Sequence, residues 1–184
     1  IFYRLKVKKI LTDIESKVDF SRVKLIHAHT WYSDGGVAYL LSKKYNIPYV
    51  VTVRNSDLNT FQKYLLHERA FGKKILENAK IVVLIAASYK SRVLSLPSLQ
   101  SIKKELETKI QIIPNGVDPY WIEHVRKKEP PKEPDNIFNI LFIGKFSKGK
   151  NISALQKAVI LIQKEGRFKV LLHIVGGDGN EMQK

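Results

Sequence analysis

Short apolar runs separated by helix-length amphipathic stretches recur through this 184-residue chain, and that alternation constrains its fold more than any other feature. The runs are Val23-Lys24-Leu25-Ile26, Pro48 to Val53, Ile81 to Leu84, Ile110 to Ile113, Phe138 to Ile143 and Val170 to Val175. Between them the apolar spacing turns helical, around Val37 to Leu41, Phe61 to Asn78, Ser88 to Leu94 and Ile152 to Lys164, and a basic amphipathic helix over residues 2–18 precedes the first run. Two parallel strands need a helix-length crossover, and a sheet covered by helices reads as continuous apolar strands. The pattern therefore predicts an α/β fold with parallel sheets.

The alternation is interrupted once. Residues 127–136 are charged and hold three of the seven prolines, which suits a linker between an α/β part at 1–126, with 127–137 as the connection, and a second one starting at 138 and cut short at 184. The chain opens on Ile1, and its basic first ten residues lack the apolar core of a signal peptide, so a piece of a longer, cytoplasmic protein is expected. With no Cys, disulfide scaffolds, thiolate zinc sites and Cys nucleophiles are excluded. No apolar run approaches the roughly 18 to 20 residues that span a bilayer. A net charge of +15 points to phosphates, an anionic membrane surface or nucleic acid as partners, or to a merely basic surface. Nucleic acid is disfavoured, because no recognition-helix, aromatic RNA-binding or zinc-finger pattern accompanies the charge.

Ligands of open α/β sheets bind beyond the carboxyl ends of the strands, so the polar residues there are the candidates. His27-Ala28-His29-Thr30 ends the first run; alternate residues share a face, and no third metal ligand with recognisable spacing follows. His29 suits either catalysis or a structural role. Asp34-Gly35-Gly36 opens the next helix, as an anion site or a cap. Arg54, after the second run, either holds a carboxylate or phosphate or pairs with a neighbouring acid while Asp57 or Ser56 caps the next helix. Asn115-Gly116 suits positive φ in a turn, and Trp121 suits packing. In Gly144-Lys145-Phe146-Ser147-Lys148-Gly149-Lys150 a strand ends, a basic loop follows and a helix begins, which favours a phosphate or diphosphate over solvated lysines. It is neither a Walker loop nor a Rossmann glycine motif. Gly176-Gly177-Asp178-Gly179 ends the last run as a ligand approach or a plain turn.

Taken in order, these segments resemble family 4 glycosyltransferases, retaining enzymes of the GT-B fold with two Rossmann-like domains. The matching stretches are His27 to Thr30 with Asp34-Gly35-Gly36, Ile47 to Arg54, Ile113 to Asp118, Phe142 to Phe146 with Lys150-Asn151, and Ile174 to Gly179. The resemblance implies parts of two such domains: the later part of an acceptor-side domain at 1–126 and the start of a nucleotide-sugar domain at 138–184. It implies transfer of a sugar from a nucleotide sugar, UDP before GDP, to a glycan or lipid-linked acceptor in surface polysaccharide assembly such as capsule or lipopolysaccharide. No metal or other cofactor is implied. His29 falls beside the reacting sugar, with Arg54 and Asp34 on the acceptor side. Lys145 and Lys150 fall where the family holds the donor diphosphate, although the first is usually Arg, whose bidentate fork Lys lacks. Gly144, Asn115, Gly116, Gly177 and Asp178 would line the donor or the cleft. The family's glycine-rich loop and its paired glutamates would lie outside this sequence, leaving the fragment inactive alone. Peripheral membrane docking of the first helix and a non-catalytic, glycosyltransferase-like binding subunit are the further readings.

Overall fold

The computed structural model describes residues 2–125, 137–166 and 169–177. The chain forms two compact units, Ile1–Asp118 and Pro119–Lys184. The expected linker at 127–136 and Asp178 lie outside the described residues.

The first unit begins with helix α1 (Phe2–Glu15), followed by strand β1 (Ile26–Ala28), helix α2 (Ser33–Tyr45) and strand β2 (Tyr49–Val53). A helical run over residues 55–64 follows, whose middle, Asp57–Phe61, is a π-turn and whose end is the short α3 (Gln62–Tyr64). Then come α4 (Arg69–Asn78), β3 (Ile81–Leu84), α5 (Ser88–Leu94), α6 (Lys103–Lys109) and β4 (Ile110–Ile112). The four strands pair in parallel in the order β1-β2-β3-β4, with Ala28, Val51, Val82 and Ile110 in register. The predicted parallel α/β architecture is what the chain adopts.

Helices α2, α4 and α6 touch in succession and form one layer. Beneath it Tyr49, Val51 and Val53 of β2 are fully buried together with Ile75, Leu76 and Leu106. Burying side chains of this size stabilises the fold by about 1.5–3 kcal/mol each, so this layer makes the sheet a rigid base for its strand ends. The amphipathic α1 packs on α2 rather than directly on the sheet. Its Val7 meets Val37 and Leu41, while Phe2 and Leu5 stay exposed.

Three expectations shift. The first strand lies at Ile26–Ala28, beyond the run beginning at Val23, because Asp19 caps a 3₁₀ turn at Phe20–Arg22 and pairing starts only where Ile26 donates to the Pro48 carbonyl. The amphipathic first helix stops at Glu15 rather than at residue 18. The long helix expected from Phe61 to Asn78 breaks at Leu65. There the Arg69 guanidinium donates twice to the Gln62 carbonyl, and the buried Glu68 carboxylate accepts from Arg4 Nε at 2.8 Å. The Arg69 side chain thus satisfies the Gln62 carbonyl that a continuous helix would have paired with a backbone N–H, and the Arg4 pair holds the buried Glu68 carboxylate.

In the second unit, α7 (Pro119–Glu123) precedes β5 (Ile137–Ile143), α8 (Ile152–Lys164) and β6 (Lys169–Val175). Strands β5 and β6 pair in parallel along their whole length. Trp121, expected to pack, is 67% exposed and meets the Tyr120 ring edge-on.

Candidate functional site

The carboxyl ends of β1, β2 and β4 are tied to one another by side chains. Asp57, fully buried in the π-turn after β2, reaches back rather than capping its own helix. Its carboxylate accepts from the backbone N–H groups of Trp31 at 3.0 Å, Tyr32 at 3.1 Å and Arg54 at 2.8 Å. Burial pushes its carboxyl up from the ordinary carboxylate range, and the three N–H donors oppose that rise. The loop carrying His29 is thereby clamped onto the end of β2.

Arg54 supplies a second tie. Its Nε donates to the His29 carbonyl at 3.1 Å and its Nη1 to Asn115 Oδ1 at 2.8 Å, so it joins the end of β1 to the loop after β4. Among the described residues it pairs with no acid, contrary to one of the two expectations. Neither Asn115 nor Gly116 has positive φ, contrary to the turn expected there; the Asn115 side chain is bound by Arg54 and space around Gly116 is open.

His27 and His29 do share a side, their ring centroids lying 4.3 Å apart. His27 Nε2 is 3.1 Å from Thr52 Oγ1, and its pKa is lowered by burial first, then by His29 and by the Arg54 charge. His29 is exposed just past the strand, as are Asn115 and Asp34. Among the described residues no three His, Asp or Glu side chains gather as a metal site would require.

Asp34 is not the helix cap. Thr30 takes that role, its Oγ1 accepting from Asp34 N at 3.0 Å and its carbonyl from Gly35 N at 2.9 Å. The two glycines are small for packing reasons. A Cβ on Gly35 would lie 2.9 Å from Ile75 and one on Gly36 would lie 2.8 Å from the Tyr3 hydroxyl. Reading the residues alone missed Thr30 and the clasp of Asp57; the available signal for the latter was an acid four residues past a buried strand in a run with no other anion.

In the second unit, β5 ends at Gly144, whose N–H donates to the Val175 carbonyl. A 3₁₀ turn at Lys148–Lys150 leads into α8 through Asn151 in the left-handed conformation. A cavity of about 380 Å³ lies at this strand-to-helix passage, lined by Phe146, Ser147, Lys148, Asn151, Ser153 and Gln156 among others. Lys148 lines it, while Lys145 and Lys150 stand exposed beside it, and among the described residues none of the three meets a carboxylate. Gly176 answers a different need from the one expected: a Cβ there would strike the Gly144 carbonyl, so two backbones pack closely at this point. Gly177 has open space around it.

The chain shares similarity with a Bacillus subtilis (strain 168) protein, TuaC, whose name assigns it to teichuronic acid biosynthesis as a glycosyltransferase. Identity is 25% over 147 residues, covering 76% of this chain and 35% of that protein. The chain thus spans about a third of the length of the curated relative it matches. No helix among the described residues is long and apolar enough to cross a membrane. A glycosyltransferase family 4 profile matches residues 2–121, most of the chain, and with its parallel α/β units and polar strand ends the chain belongs to glycosyltransferase family 4.

Proposed function

We propose that the full-length protein transfers a sugar, with retention, from a nucleotide sugar to a glycan or lipid-linked acceptor in cell-surface polysaccharide assembly. The observation that carries this is the convergence of His29, Arg54 and Asn115 beyond the carboxyl ends of a parallel sheet in a chain of this family. On this reading His29 stands beside the reacting sugar, and Arg54 and Asp34 belong to the acceptor side. Lys145 and Lys150 hold the donor diphosphate, with Gly144, Asn115, Gly116, Gly177 and Asp178 lining the donor or the cleft.

The chemistry asked of these residues is electrostatic. Departure of a nucleoside diphosphate develops negative charge on its oxygens, and lysines at a helix start oppose that charge most strongly in the transition state. No metal is needed for this step. The amphipathic α1, with Phe2 and Leu5 exposed among Lys6, Lys8 and Lys9, supports docking on the anionic inner face of a membrane that holds lipid-linked acceptors. The name of the Bacillus subtilis relative supports a surface polysaccharide as product.

The test is calorimetric titration of the full-length protein with UDP- and GDP-sugars in the presence of EDTA, followed by transfer assays on membranes. Donor binding and turnover, both reduced by Lys150→Ala, are the expected result. Binding without turnover under any acceptor would favour a non-catalytic subunit, and absence of any sugar-nucleotide binding would overturn the reading.

A further inference from the structure

Beside the groups that converge at the strand ends lies a polar ladder that the transfer mechanism leaves unused. Asn59 sits in the π-turn after β2, where a wider helical turn changes the direction of its side chain; such turns cost stability and concentrate at functional sites. Asn59 Oδ1 accepts from Arg92 Nη2 at 2.7 Å, and Asn59 Nδ2 donates to Asn55 Oδ1 at 2.6 Å. The Arg92 guanidinium, on α5 just past β3, lies 5.8 Å from the centroid of the Tyr89 ring, which restricts it further.

The direction of these bonds decides what the ladder offers. Each amide oxygen already accepts one bond: Asn59 Oδ1 from Arg92, Asn55 Oδ1 from Asn59 and, on neighbouring Arg54, Asn115 Oδ1 from the guanidinium. What remains in excess is donors and positive charge, the Asn55 amide N–H groups and the unused N–H groups of Arg54 and Arg92, beside amide oxygens that each keep one lone pair. Among the described residues neither guanidinium meets a carboxylate. A neutral sugar hydroxyl draws ordinary hydrogen bonds from such a rim, whereas an oxyanion also meets two positive charges held by neutral partners, and charge-assisted bonds from a pre-oriented guanidinium are the stronger kind.

We infer that the rim of Asn55, Asn59 and Arg92, with Arg54 beside it, is a subsite for an oxyanion carried by the acceptor, a sugar carboxylate or a sugar phosphate. Calling the ligand an acceptor rests on the transferase reading; the oxyanion preference itself does not.

The experiment titrates the full-length protein with methyl β-glucuronide, methyl β-glucoside and glucose 6-phosphate, following ligand signals by NMR at two salt concentrations. At least one acidic sugar is expected to bind about ten-fold more tightly than the glucoside, with the advantage shrinking as salt rises. The tighter of the two acids identifies carboxylate or phosphate as the natural group. Arg92→Gln abolishes the advantage, and so does Asn59→Asp, which sets a carboxylate against Arg92 and satisfies it internally. Lys63→Gln, which removes one exposed charge off the ladder, preserves it. Equal binding of acidic and neutral sugars, or an advantage that survives both Arg92→Gln and Asn59→Asp, overturns the inference. Sugar-nucleotide binding by the same preparation separates the two readings. Donor binding without an acidic preference removes this inference alone, and an acidic preference without donor binding keeps the oxyanion subsite and removes the transferase reading.

Discussion

The two units end their strands differently. In the first, the loops beyond β1, β2 and β4 are fixed by Asp57 and Arg54, whose bonds go to backbone N–H groups, a carbonyl and an amide rather than to water. In the second, the loop beyond β5 carries Lys145, Lys148 and Lys150 exposed to solvent, beside a cavity and a helix start. A site meant to distinguish one sugar hydroxyl from another needs its groups held in place, since a misplacement of about an ångström costs much of the benefit of orientation. A site meant to attract a flexible diphosphate gains from compact charges on long stems, which act without a fixed fork. On the proposed transferase reading, the contrast gives orientation to the first unit and charge to the second.

Removing the clasp tests that contrast most severely. Asp57→Ala leaves three backbone donors without their acceptor in a buried place, and each such orphan costs about 1–3 kcal/mol. Allowing for relaxation and entry of water, a loss of about 3 kcal/mol in urea unfolding is expected, a large fraction of the roughly 5–15 kcal/mol that a domain possesses. Unfolding unchanged to within about 0.5 kcal/mol would mean that the His29 loop is held by other means. The clasp also has a pH signature. Because burial raises the Asp57 pKa, the folded state holds its proton more firmly than the unfolded chain does. That contribution to stability is complete below the unfolded value and is lost as the pH rises through the folded one. Asp57→Asn, which cannot titrate, lacks this dependence, and comparing the two stability curves from acid to neutral pH isolates it.

Overpacking gives the next effect. In Gly35→Ala the new methyl meets Ile75 at 2.9 Å and the Thr30 carbonyl at 3.1 Å, a backbone atom that cannot swing aside. Overpacking costs about 1–3 kcal/mol, partly offset by the roughly 1 kcal/mol that Ala gains over Gly in a helix. A net loss of about 1–2 kcal/mol in unfolding free energy is the expected outcome. A stabilised variant would restore the reading in which this glycine pair serves an anion rather than a helix contact.

In the second unit the balance reverses. Lys145→Ala and Lys150→Ala should leave thermal unfolding unchanged, because exposed side chains off any special feature shift stability by no more than about 0.5 kcal/mol. Each should weaken sugar-nucleotide binding about ten-fold, the value of one charge-assisted contact. Lys148→Ala sharpens the comparison, since Lys148 lines the cavity that its two neighbours flank. A larger loss from Lys148 than from Lys150 would move the diphosphate into that cavity.

Much of this was legible in the sequence. The apolar runs located five of the six described strands, because a parallel strand buried under helices must be apolar along its length, and Ile81–Leu84 lies where the run places it, whereas β1 shares only Ile26 with its run. Boundaries suffered where tertiary bonds overrode local preference. Just past the helix break at Leu65 the buried Glu68 is paired with Arg4, 64 residues away, and no local window contains that pair. The candidate site divided in the same way. Position along the chain placed His29, Arg54 and Asn115 at strand ends, but the targets of Arg54 are a carbonyl 25 residues earlier and an amide 61 residues later. Asp57 reads locally as a cap for its own helix, and only the packing of the His29 loop over β2 makes the backward bonds available.

The smallest expected effect probes whether the orientation network carries charge as well as shape. His27 sits beside His29 and within the field of Arg54, and its pKa lies below the ordinary 6.5, through burial first and these two neighbours after it. A base with a lowered folded pKa remains neutral in the folded state while the unfolded chain takes up a proton. Its contribution to stability is therefore present above the unfolded value and declines as the pH falls through it toward the folded one. Following the imidazole protons of His27 by NMR should show titration on the acid side of 6.5, moving up toward 6.5 when Arg54→Gln removes one positive neighbour. Because His27 is exposed, solvent screens this coupling and the shift should be a small one. An unchanged His27 titration in Arg54→Gln would show that the guanidinium acts at the strand ends through its hydrogen bonds alone, leaving its charge available to whatever anion approaches the rim.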